Sequence, residues 1–166
     1  MILGTQLPEG DLDAARERLL RRFPDAQEHA PAGPIAEAIA SIRALLAGEW
    51  RDLAGLPIAL DGAAPFPRSV YRITLTIPPG QTLTYGEIAQ RLGELGAARA
   101  VGVALGQNPW PIIVPCHRVL AAGGRTGGFS AAGGVTTKLR LLTIERARTS
   151  GEASLFDPLP FQAKGN

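Results

Sequence analysis

The residue best suited to covalent chemistry is Cys116, the only cysteine among the 166 residues. A cysteine attacks as its thiolate, and a free thiol with a pKa of roughly 8.5 forms little thiolate at neutral pH without a neighbouring base or cation. His117 follows directly, and because consecutive side chains diverge, we expect it to act through a water, with Glu145 as a candidate to orient its ring. A lone thiol is also common as a small buried hydrophobe, so the Cys-His pair alone leaves both interpretations open.

Other kinds of chemistry find little support in the sequence. One cysteine excludes an intramolecular disulfide and a cysteine-rich zinc site. There is no phosphate-binding loop, dinucleotide fingerprint or cluster of metal ligands, so we expect no cofactor and no metal. No run approaches the roughly 20 apolar residues that span a bilayer, and residues 1–10 lack a secretory signal. These observations predict a cytoplasmic protein with no membrane partner.

The charge is unevenly distributed along the chain. Residues 1–84 carry eight arginines against ten acidic residues, whereas residues 85–148 carry seven arginines and one lysine against three glutamates, a net charge of +5. The basic stretch also contains the only cysteine. This pattern suits a polyanion such as DNA, although a solvated basic face would look the same.

Two short helices with a glycine-bearing turn between them are predicted within residues 84–105. Thr84 and Glu87 are spaced as a capping box at the start of the first helix. Residues 93–96 form the turn, and residues 97–105 form a second helix that is rich in small side chains. Such a unit fits a helix-turn-helix whose second helix can approach a partner closely, and an ordinary helical hairpin in a core has the same pattern.

The remaining elements follow from the apolar periodicity. Helices are predicted at three places: residues 11–23, residues 34–46 and the stretch from about Thr137 onward. Their inward faces are expected to include Leu12, Ile35 and the pair Leu139 and Leu142. Short strands are predicted at residues 56–60 and 112–114, with a linker at residues 62–67. Residues 69–77 fit a strand and a helix equally well, and residues 121–134 form a glycine-rich loop.

Several motifs in order resemble the C-terminal domain of the O⁶-alkylguanine-DNA alkyltransferases. The stretch from Ile112 to Val119, IIVPCHRV, reproduces that family's active-site signature. The other matching stretches, upstream and downstream of it, are Ile77-Pro78-Pro79-Gly80, Tyr85-Gly86-Glu87-Ile88-Ala89, Ala97-Ala98-Arg99-Ala100-Val101-Gly102, Asn108-Pro109, Gly128-Phe129-Ser130 and Lys138 to Glu145. The resemblance covers residues 66–148, about half of the chain.

The resemblance implies direct DNA repair, in which an alkyl group moves once from the O⁶ atom of guanine to Cys116. His117, with a water and Glu145, would draw off the thiol proton, and Tyr85 would stabilise the leaving O⁶ atom. Asn108 would tie the helix-turn-helix to the active-site segment. The reaction requires that the guanine be flipped out of double-stranded DNA, because a stacked base is out of reach of a buried thiol.

The resemblance also implies a DNA surface and a guanine pocket. Arg99 would enter the duplex in place of the flipped base, although a phosphate contact is the alternative for this residue. The recognition helix would lie in the minor groove, where small residues allow a close approach. The remaining DNA-binding candidates are Thr84, Tyr85, Ala97, Ala98, Ala100 and Gly102, and the pocket candidates are Val114, Pro115, Val119, Phe129 and Ser130.

The implied fold is of the α+β class. A mostly α, winged-helix-like helix-turn-helix domain over residues 63–148 would follow a shortened, ribonuclease-H-like region over residues 1–62, with a tail at residues 149–166. The chain departs from the family pattern at Tyr71, where Trp is common, and at Trp110, where a smaller apolar residue is usual. The loop before the last helix also looks about two residues longer, so Glu145 is matched across a gap.

Three alternatives to DNA repair remain at this point. A non-catalytic alkyltransferase-like damage sensor would share the fold but lack the acceptor cysteine. A cysteine hydrolase would turn over small esters or peptides, with an odd geometry for adjacent Cys116 and His117. A winged-helix regulator would bind a preferred DNA sequence without covalent change. We expect a monomer that repairs O⁶-alkylguanine in DNA.

Overall fold

The computed structural model describes residues 1–7, 11–128 and 134–147, and in these ranges the chain is mostly helical. The helices are α1 (Leu12–Arg22), α2 (Gly33–Leu46), α3 (Pro65–Leu75), α4 (Tyr85–Arg91), α5 (Ala98–Gly106) and α6 (Gly134–Ile144), and the strands are β1 (Leu83–Thr84) and β2 (Val119–Leu120). Short 3₁₀ turns lie at Leu60–Gly62, Cys116–Arg118 and Ala122–Gly124. The predicted α+β class is confirmed, with a small sheet.

The ambiguous stretch around residues 69–77 is helical. Helix α3 begins at Pro65, since a proline in the first turn gives up no hydrogen bond, so the linker predicted at residues 62–67 is wrong in its second half. Val70, Tyr71 and Thr74 are buried on one face of α3. The apolar residues of this stretch fit the periods of both a strand and a helix. Packing against the neighbouring helices favours the helix.

The helical pair α4–α5 forms as the sequence predicts. The Thr84 hydroxyl accepts from the Glu87 amide, and the Glu87 carboxylate accepts from the Thr84 amide at 2.6 Å, so the capping box is complete. Ile88 and Ala89 of α4 are buried. Helices α4 and α5 pack against each other and against α3, which places the predicted helix-turn-helix on the core.

The strand predictions are wrong at both sites. In residues 56–60 only Ile58 pairs, through an isolated bridge to Ile2. Residues 112–114 are buried but form a turn, in which Ile112 adopts a φ of +75° that no strand residue has. The ladder that does form is parallel, with Leu83 opposite Val119. The apolar pattern of these segments predicts burial, but their backbone conformation is determined by turns.

The two N-terminal helices bury little of the predicted stripes. Helix α1 has no buried residue, and Leu12 is 81% exposed. Helix α2 buries Ala38 and Leu45 rather than Ile35, which is 43% exposed. In the described part of residues 1–62 we find helices and the Ile2–Ile58 bridge but no sheet, and the likeness of this shortened region to ribonuclease H stays a prediction.

The last helix begins three residues earlier than predicted, at Gly134. Its inward face holds Lys138, Leu141 and Leu142, whereas Leu139 is 42% exposed. Just after α6, the Glu145 carbonyl would lie 3.1 Å from a Cβ placed on Gly80, whose φ is +82°. Only glycine fits that position without strain, so the turn after α3 can approach the end of α6.

Most of the buried hydrophobic side chains of the described residues form one cluster, which extends in sequence from Ile2 to Val119 and contains Cys116. Within the described ranges, no helix combines the length and apolarity needed to cross a membrane. The division at residues 62/63 stays a prediction, because buried residues on both sides of it belong to the same cluster.

Removal of the Tyr71 hydroxyl tests the packing of α3 on α5. That hydroxyl donates to the Ala104 carbonyl at 2.9 Å, and the ring meets Trp110 edge-on at 5.9 Å between centroids. We expect Tyr71→Phe to lower the free energy of unfolding by about 1 kcal/mol in urea titrations. The matched control is Tyr85→Phe, whose hydroxyl makes a contact of only 3.4 Å, so its stability should barely change. An equal loss in both variants would contradict this assignment.

Candidate active site

The active-site segment is held between two elements that are distant in sequence. Cys116, His117 and Arg118 form a 3₁₀ turn that runs directly into β2. The pairing of Thr84 with Leu120 places the start of α4, and therefore Tyr85, beside the exit of this turn. Helix α6 packs on the same turn from the other side. The short ladder thus brings the cysteine turn and the first helix of the helix-turn-helix together.

Asn108 organises the approach to the cysteine. Its side-chain amide donates to the Val114 carbonyl at 2.8 Å, and its side-chain oxygen accepts from the Trp110 amide at 2.9 Å. The Cys116 amide donates to the same Val114 carbonyl at 2.8 Å. The position of Asn108 fits the tie that the resemblance implies between α5 and the active-site segment.

Cys116 is a buried, neutral thiol in the free protein. Only 9% of its surface is exposed. Burial raises the pKa of this thiol, and the increase is partly offset by a hydrogen bond from Asn108, by the positive charge of Lys138 and by the amides of Cys116 and His117. A thiolate formed here would therefore meet several groups that favour it, although water does not reach it freely.

His117 is fully buried and uncharged. Burial lowers the pKa of its ring, despite the opposing hydrogen bond and charge of Glu145. Its Nε2 atom lies 2.9 Å from the Glu145 carboxylate, so in the neutral ring Nε2 carries the proton and donates. Nδ1 is then an acceptor, and it is buried without a hydrogen-bond partner in the described part of the chain. The ring is ready to accept one proton at Nδ1.

Glu145 lies just after α6 and joins the two residues that follow Cys116. Its carboxylate accepts from His117 and, at 2.7 and 2.9 Å, from the Arg118 guanidinium. Burial raises the pKa of this carboxyl, but the hydrogen bonds and charges of His117 and Arg118 outweigh burial and lower it from 4.5 to about 2. The carboxylate is ionised at any pH near neutral.

The sequence reasoning assigned no role to Arg118. The residue is 3% exposed, binds Glu145 through two nitrogens and donates to the Ile77 carbonyl. It therefore neutralises Glu145 and links the cysteine turn to the segment that follows α3. Its place directly after the Cys-His pair was the available signal, since a charged residue inside an apolar stretch needs a buried partner.

Lys138 is a second functional residue without an assigned role in the sequence reasoning. It is fully buried in α6, donates to the Val119 carbonyl and lies 5.8 Å from the centre of the Tyr85 ring. Burial lowers the pKa of its ammonium group to about 8, and Cys116 opposes that change. Lys138 sits on the α6 face that holds Leu142, and this one-turn spacing was the signal that could have placed it inward.

Tyr85, the first residue of α4, lies between α5 and the loop after β2. Its hydroxyl makes a long hydrogen bond of 3.4 Å to the Gly128 carbonyl. A Cβ on Gly127, where φ is +61°, would come within 3.2 Å of the ring, so this loop packs directly on Tyr85. Burial, followed by the nearby Cys116, raises the pKa of the phenol, which therefore stays protonated and can donate.

Helix α5 divides the predicted DNA-binding residues between two faces. Arg99 and Ala100 are exposed, as is Val103 with 57% of its surface accessible. Ala98 is half-buried, and Ala97 packs against the core cluster. A Cβ on Gly102 would lie 3.8 Å from the Tyr85 ring, so Gly102 faces the active site. Thr84 is half-buried and caps α4.

The pocket candidates are only partly described. Val114, Pro115 and Val119 are buried around Cys116 in the core. Phe129 and Ser130 lie outside the described residues. Among the described residues, no group of three or more His, Cys, Asp or Glu side chains could hold a metal ion.

Comparison with known proteins identifies relatives over most of the chain. Residues 65–147 match the family described as 6-O-methylguanine DNA methyltransferase, DNA binding domain. The methylated-DNA–protein-cysteine methyltransferase of Mycobacterium tuberculosis is 44% identical over 126 residues, which cover 75% of this chain and 73% of that protein. The protein of the same name from Methanothermobacter thermautotrophicus is 36% identical over 127 residues, with 76% and 70% covered.

Solved structures of related proteins also match this chain. The crystal structure of Mycobacterium tuberculosis OGT in complex with DNA matches with a TM-score of 0.59 and 41% identity, covering 68% of this chain and 67% of that one. The O6-methylguanine-DNA methyltransferase of Pyrococcus kodakaraensis matches with a TM-score of 0.62 and 28% identity, covering 81% and 80%.

Replacement of Glu145 tests the buried ion pair and its dependence on pH. Glu145→Gln leaves the Arg118 charge buried without a counter-ion, and we expect it to cost about 3–5 kcal/mol of the free energy of unfolding at pH 7. The folded-state pKa of Glu145 is about 2 against an ordinary 4.5, so its contribution is complete above pH 4.5 and is lost as the pH falls towards 2. The difference between the two proteins should therefore shrink across that window in urea titrations.

The control for this test is Glu49→Gln. Glu49 also binds an arginine at 2.8 Å, but both side chains are more than half exposed. Its replacement should change stability by less than about 1 kcal/mol, because exposed ion pairs contribute little. A wild-type–Glu145→Gln difference that stayed constant from pH 7 to pH 2 would rule out the ionised pair.

Proposed function

Because the chain belongs to the O⁶-methylguanine-DNA methyltransferase family, we propose that it repairs DNA by transferring an alkyl group from O⁶-alkylguanine to its own Cys116. The observation that carries the proposal is the arrangement around the sulfur. The only cysteine of the chain lies near Asn108 and the charge of Lys138, which both lower the pKa of its thiol, and the next residue is a neutral histidine oriented by Glu145. This is the set of groups that a sulfur nucleophile needs.

The proton of the thiol is the first thing the reaction must move. We propose that it passes through a water to Nδ1 of His117, the buried acceptor without a partner in the described residues. The imidazolium formed would be stabilised by Glu145, whose carboxylate already accepts from Nε2. The low pKa of Glu145 supports this division of roles, because a group that stays ionised orients and stabilises the ring without taking its proton.

The bond changes then follow at the alkyl carbon. A bond forms between the carbon and the Cys116 sulfur while the bond to O⁶ breaks, and the electron pair of that bond stays on the oxygen. The thiol gives up one proton, through the water to His117, and the dealkylated guanine, which stays attached to the DNA, takes up one. The phenol of Tyr85, kept protonated by burial, would donate a hydrogen bond to the oxygen as its charge grows. Lys138 would hold the sulfur as an anion until the carbon arrives.

DNA is the partner, as the matched DNA-binding domain and the DNA complex of the mycobacterial relative support. We propose that α5 enters the minor groove through its exposed face. Arg99 and Ala100 are on that face, and the small size of Ala100 would allow a close backbone approach. The guanine has to be flipped, because the thiol is buried and cannot reach a base within the helix. Arg99 would then take the place of the flipped guanine in the stack.

Two further properties follow from the chemistry proposed. The product at Cys116 is a thioether, and no group in the described site is suited to cleave it, so each molecule would act once. All residues of the proposed site come from one chain, so a monomer suffices. We propose a cytoplasmic location for this activity, in line with the DNA-repair relatives.

A stoichiometric transfer assay tests the central claim. Incubation with a duplex that carries O⁶-methylguanine should add one methyl group to the protein, mapped by peptide mass to Cys116, and repair should stop at one lesion per molecule. Cys116→Ser should remove all transfer, because a serine hydroxyl is a far weaker nucleophile at neutral pH. If the Cys116→Ser variant still binds DNA, and if this binding still depends on Arg99, the fold of the variant is intact.

Other outcomes would identify the alternatives. Repeated turnover would indicate a hydrolytic enzyme, binding without mass change would indicate a damage sensor, and a strong sequence preference without mass change would indicate a regulator. Any one of these would contradict the transfer mechanism.

The role of Arg99 can be separated from general charge. Arg99→Ala should slow transfer from duplex DNA by about 10-fold or more, since flipping costs a few kcal/mol that the inserted side chain helps to offset. Transfer from a single-stranded oligonucleotide should change little, because no base stack has to be filled. Arg43→Ala, which removes an exposed arginine from α2, is the control and should leave both rates unchanged. Equal slowing on both substrates would assign Arg99 to phosphate contact.

A further inference from the structure

The segment formed by residues 1–7, here called the strap, lies against the turn that leads to Cys116. The Thr5 amide donates to the Pro109 carbonyl at 3.0 Å, and the Thr5 hydroxyl donates to the Pro111 carbonyl at 2.8 Å. In the opposite direction, the Trp110 indole donates to the Ile2 carbonyl at 2.9 Å. Three hydrogen bonds thus join seven residues at one end of the chain to three consecutive residues near its active site.

The strap is itself anchored. Ile2 donates to the Pro57 carbonyl at 2.7 Å and accepts from the Ala59 amide at 3.0 Å. Ile2 and Leu7 are buried, with 7% and 5% of their surfaces exposed. Because both ends of the strap are fixed in the core, Thr5 can hold the turn rather than follow it.

The turn needs such support at one residue. Ile112 has a φ of +75°, a left-handed conformation that a β-branched side chain strongly disfavours. The peptide plane before Ile112 contains the Pro111 carbonyl, so rotation about φ of Ile112 would swing that oxygen away. The Thr5 hydroxyl is bonded to this oxygen, and strained backbone persists only where its surroundings over-determine it.

We propose that Thr5 is a positioning residue for the alkyl acceptor: through the Pro111 carbonyl it holds the Ile112 backbone in the conformation that presents Cys116 to Asn108. The proposal rests on the proposed function for its effect on transfer, but the geometry of the thiol can be measured without it. Thr5 does not touch the sulfur. The groups near Cys116 are Asn108, Lys138 of α6, Tyr85 of α4 and Tyr71 of α3, with His117 next in the chain.

The variant Thr5→Val tests the proposal, because it keeps the shape of the side chain and removes only the hydroxyl. We expect the rate of methyl transfer at saturating DNA to fall by about 10-fold or more, since a displacement of about 1 Å at a reacting group costs about 100-fold. The DNA concentration at half-maximal rate should stay unchanged, because the strap is not on the α5 face. Thr5→Ser keeps the hydroxyl and should restore the rate.

A second readout does not depend on transfer. If Cys116 moves away from Asn108, the thiolate loses a hydrogen bond and the pKa of the thiol rises. The ultraviolet absorbance of the thiolate, measured against pH as a difference from the Cys116→Ser variant, should therefore shift to higher pH in Thr5→Val and return in Thr5→Ser. If wild-type protein transferred no methyl group, the proposed function would fail while this titration still tested the strap.

The matched control is Thr74→Val. Thr74 is buried in α3 and its hydroxyl also donates to a main-chain carbonyl, that of Val70, at 2.8 Å. Its replacement should lower stability without a change in the thiol titration or the transfer rate. The proposal is overturned if Thr5→Val loses only stability, as Thr74→Val does, and keeps the wild-type titration and rate.

Discussion

A single buried carboxylate holds the active site together. Glu145 shares one oxygen between His117 and Arg118 and gives the other to Arg118 alone. The charge of Arg118 balances that of Glu145, and burial together with Arg118 and Lys138 keeps His117 neutral. Without the arginine, the carboxylate would favour a protonated histidine, which cannot accept a proton. Arg118, which neutralises the carboxylate, is therefore as necessary to the proposed base His117 as Glu145, which orients the imidazole ring.

The same low-polarity surroundings set the state of the sulfur. Burial keeps Cys116 protonated, while Asn108, Lys138 and two backbone amides are already placed to stabilise its anion. The thiolate is the reactive form towards oxidants and electrophiles in general, so a neutral thiol is protected while it waits. Under the proposed mechanism, in which each molecule acts once, this protection matters because each sulfur lost to another reaction is a molecule lost to repair.

The sequence predicted the parts of the site that depend on local signals. The capping box at Thr84 and Glu87 and the short helix after it are confirmed, because these interactions lie within four residues of each other. The class of fold is confirmed as well. The prediction failed where tertiary contacts decide: residues 112–114 have the apolar run of a buried strand, yet Asn108 and the strap hold them in a turn. Leu12 has a helical stripe position but is 81% exposed among the described residues.

Long-range partners were hidden for the same reason. The contact between Glu145 and His117 spans 28 positions, and only the resemblance to a family connected them in the sequence. Arg118 and Lys138 read as ordinary basic residues until the structure placed each beside a buried acceptor. A hydrogen bond between distant residues leaves no periodic trace, so pattern analysis could locate the elements but not the pairs that join them.

The strap joins the matched domain to residues that lie outside it. The family match begins at residue 65, yet the carbonyls of Pro109 and Pro111 take hydrogen bonds from Thr5. Prolines carry no amide hydrogen, so this turn has few donors of its own with which to fix its conformation. The Trp110 indole donates to the Ile2 carbonyl and adds the hydrogen bond that runs in the other direction. The strained Ile112 backbone is therefore held by residues outside the matched domain, which makes the N-terminal segment part of the machinery that presents the sulfur.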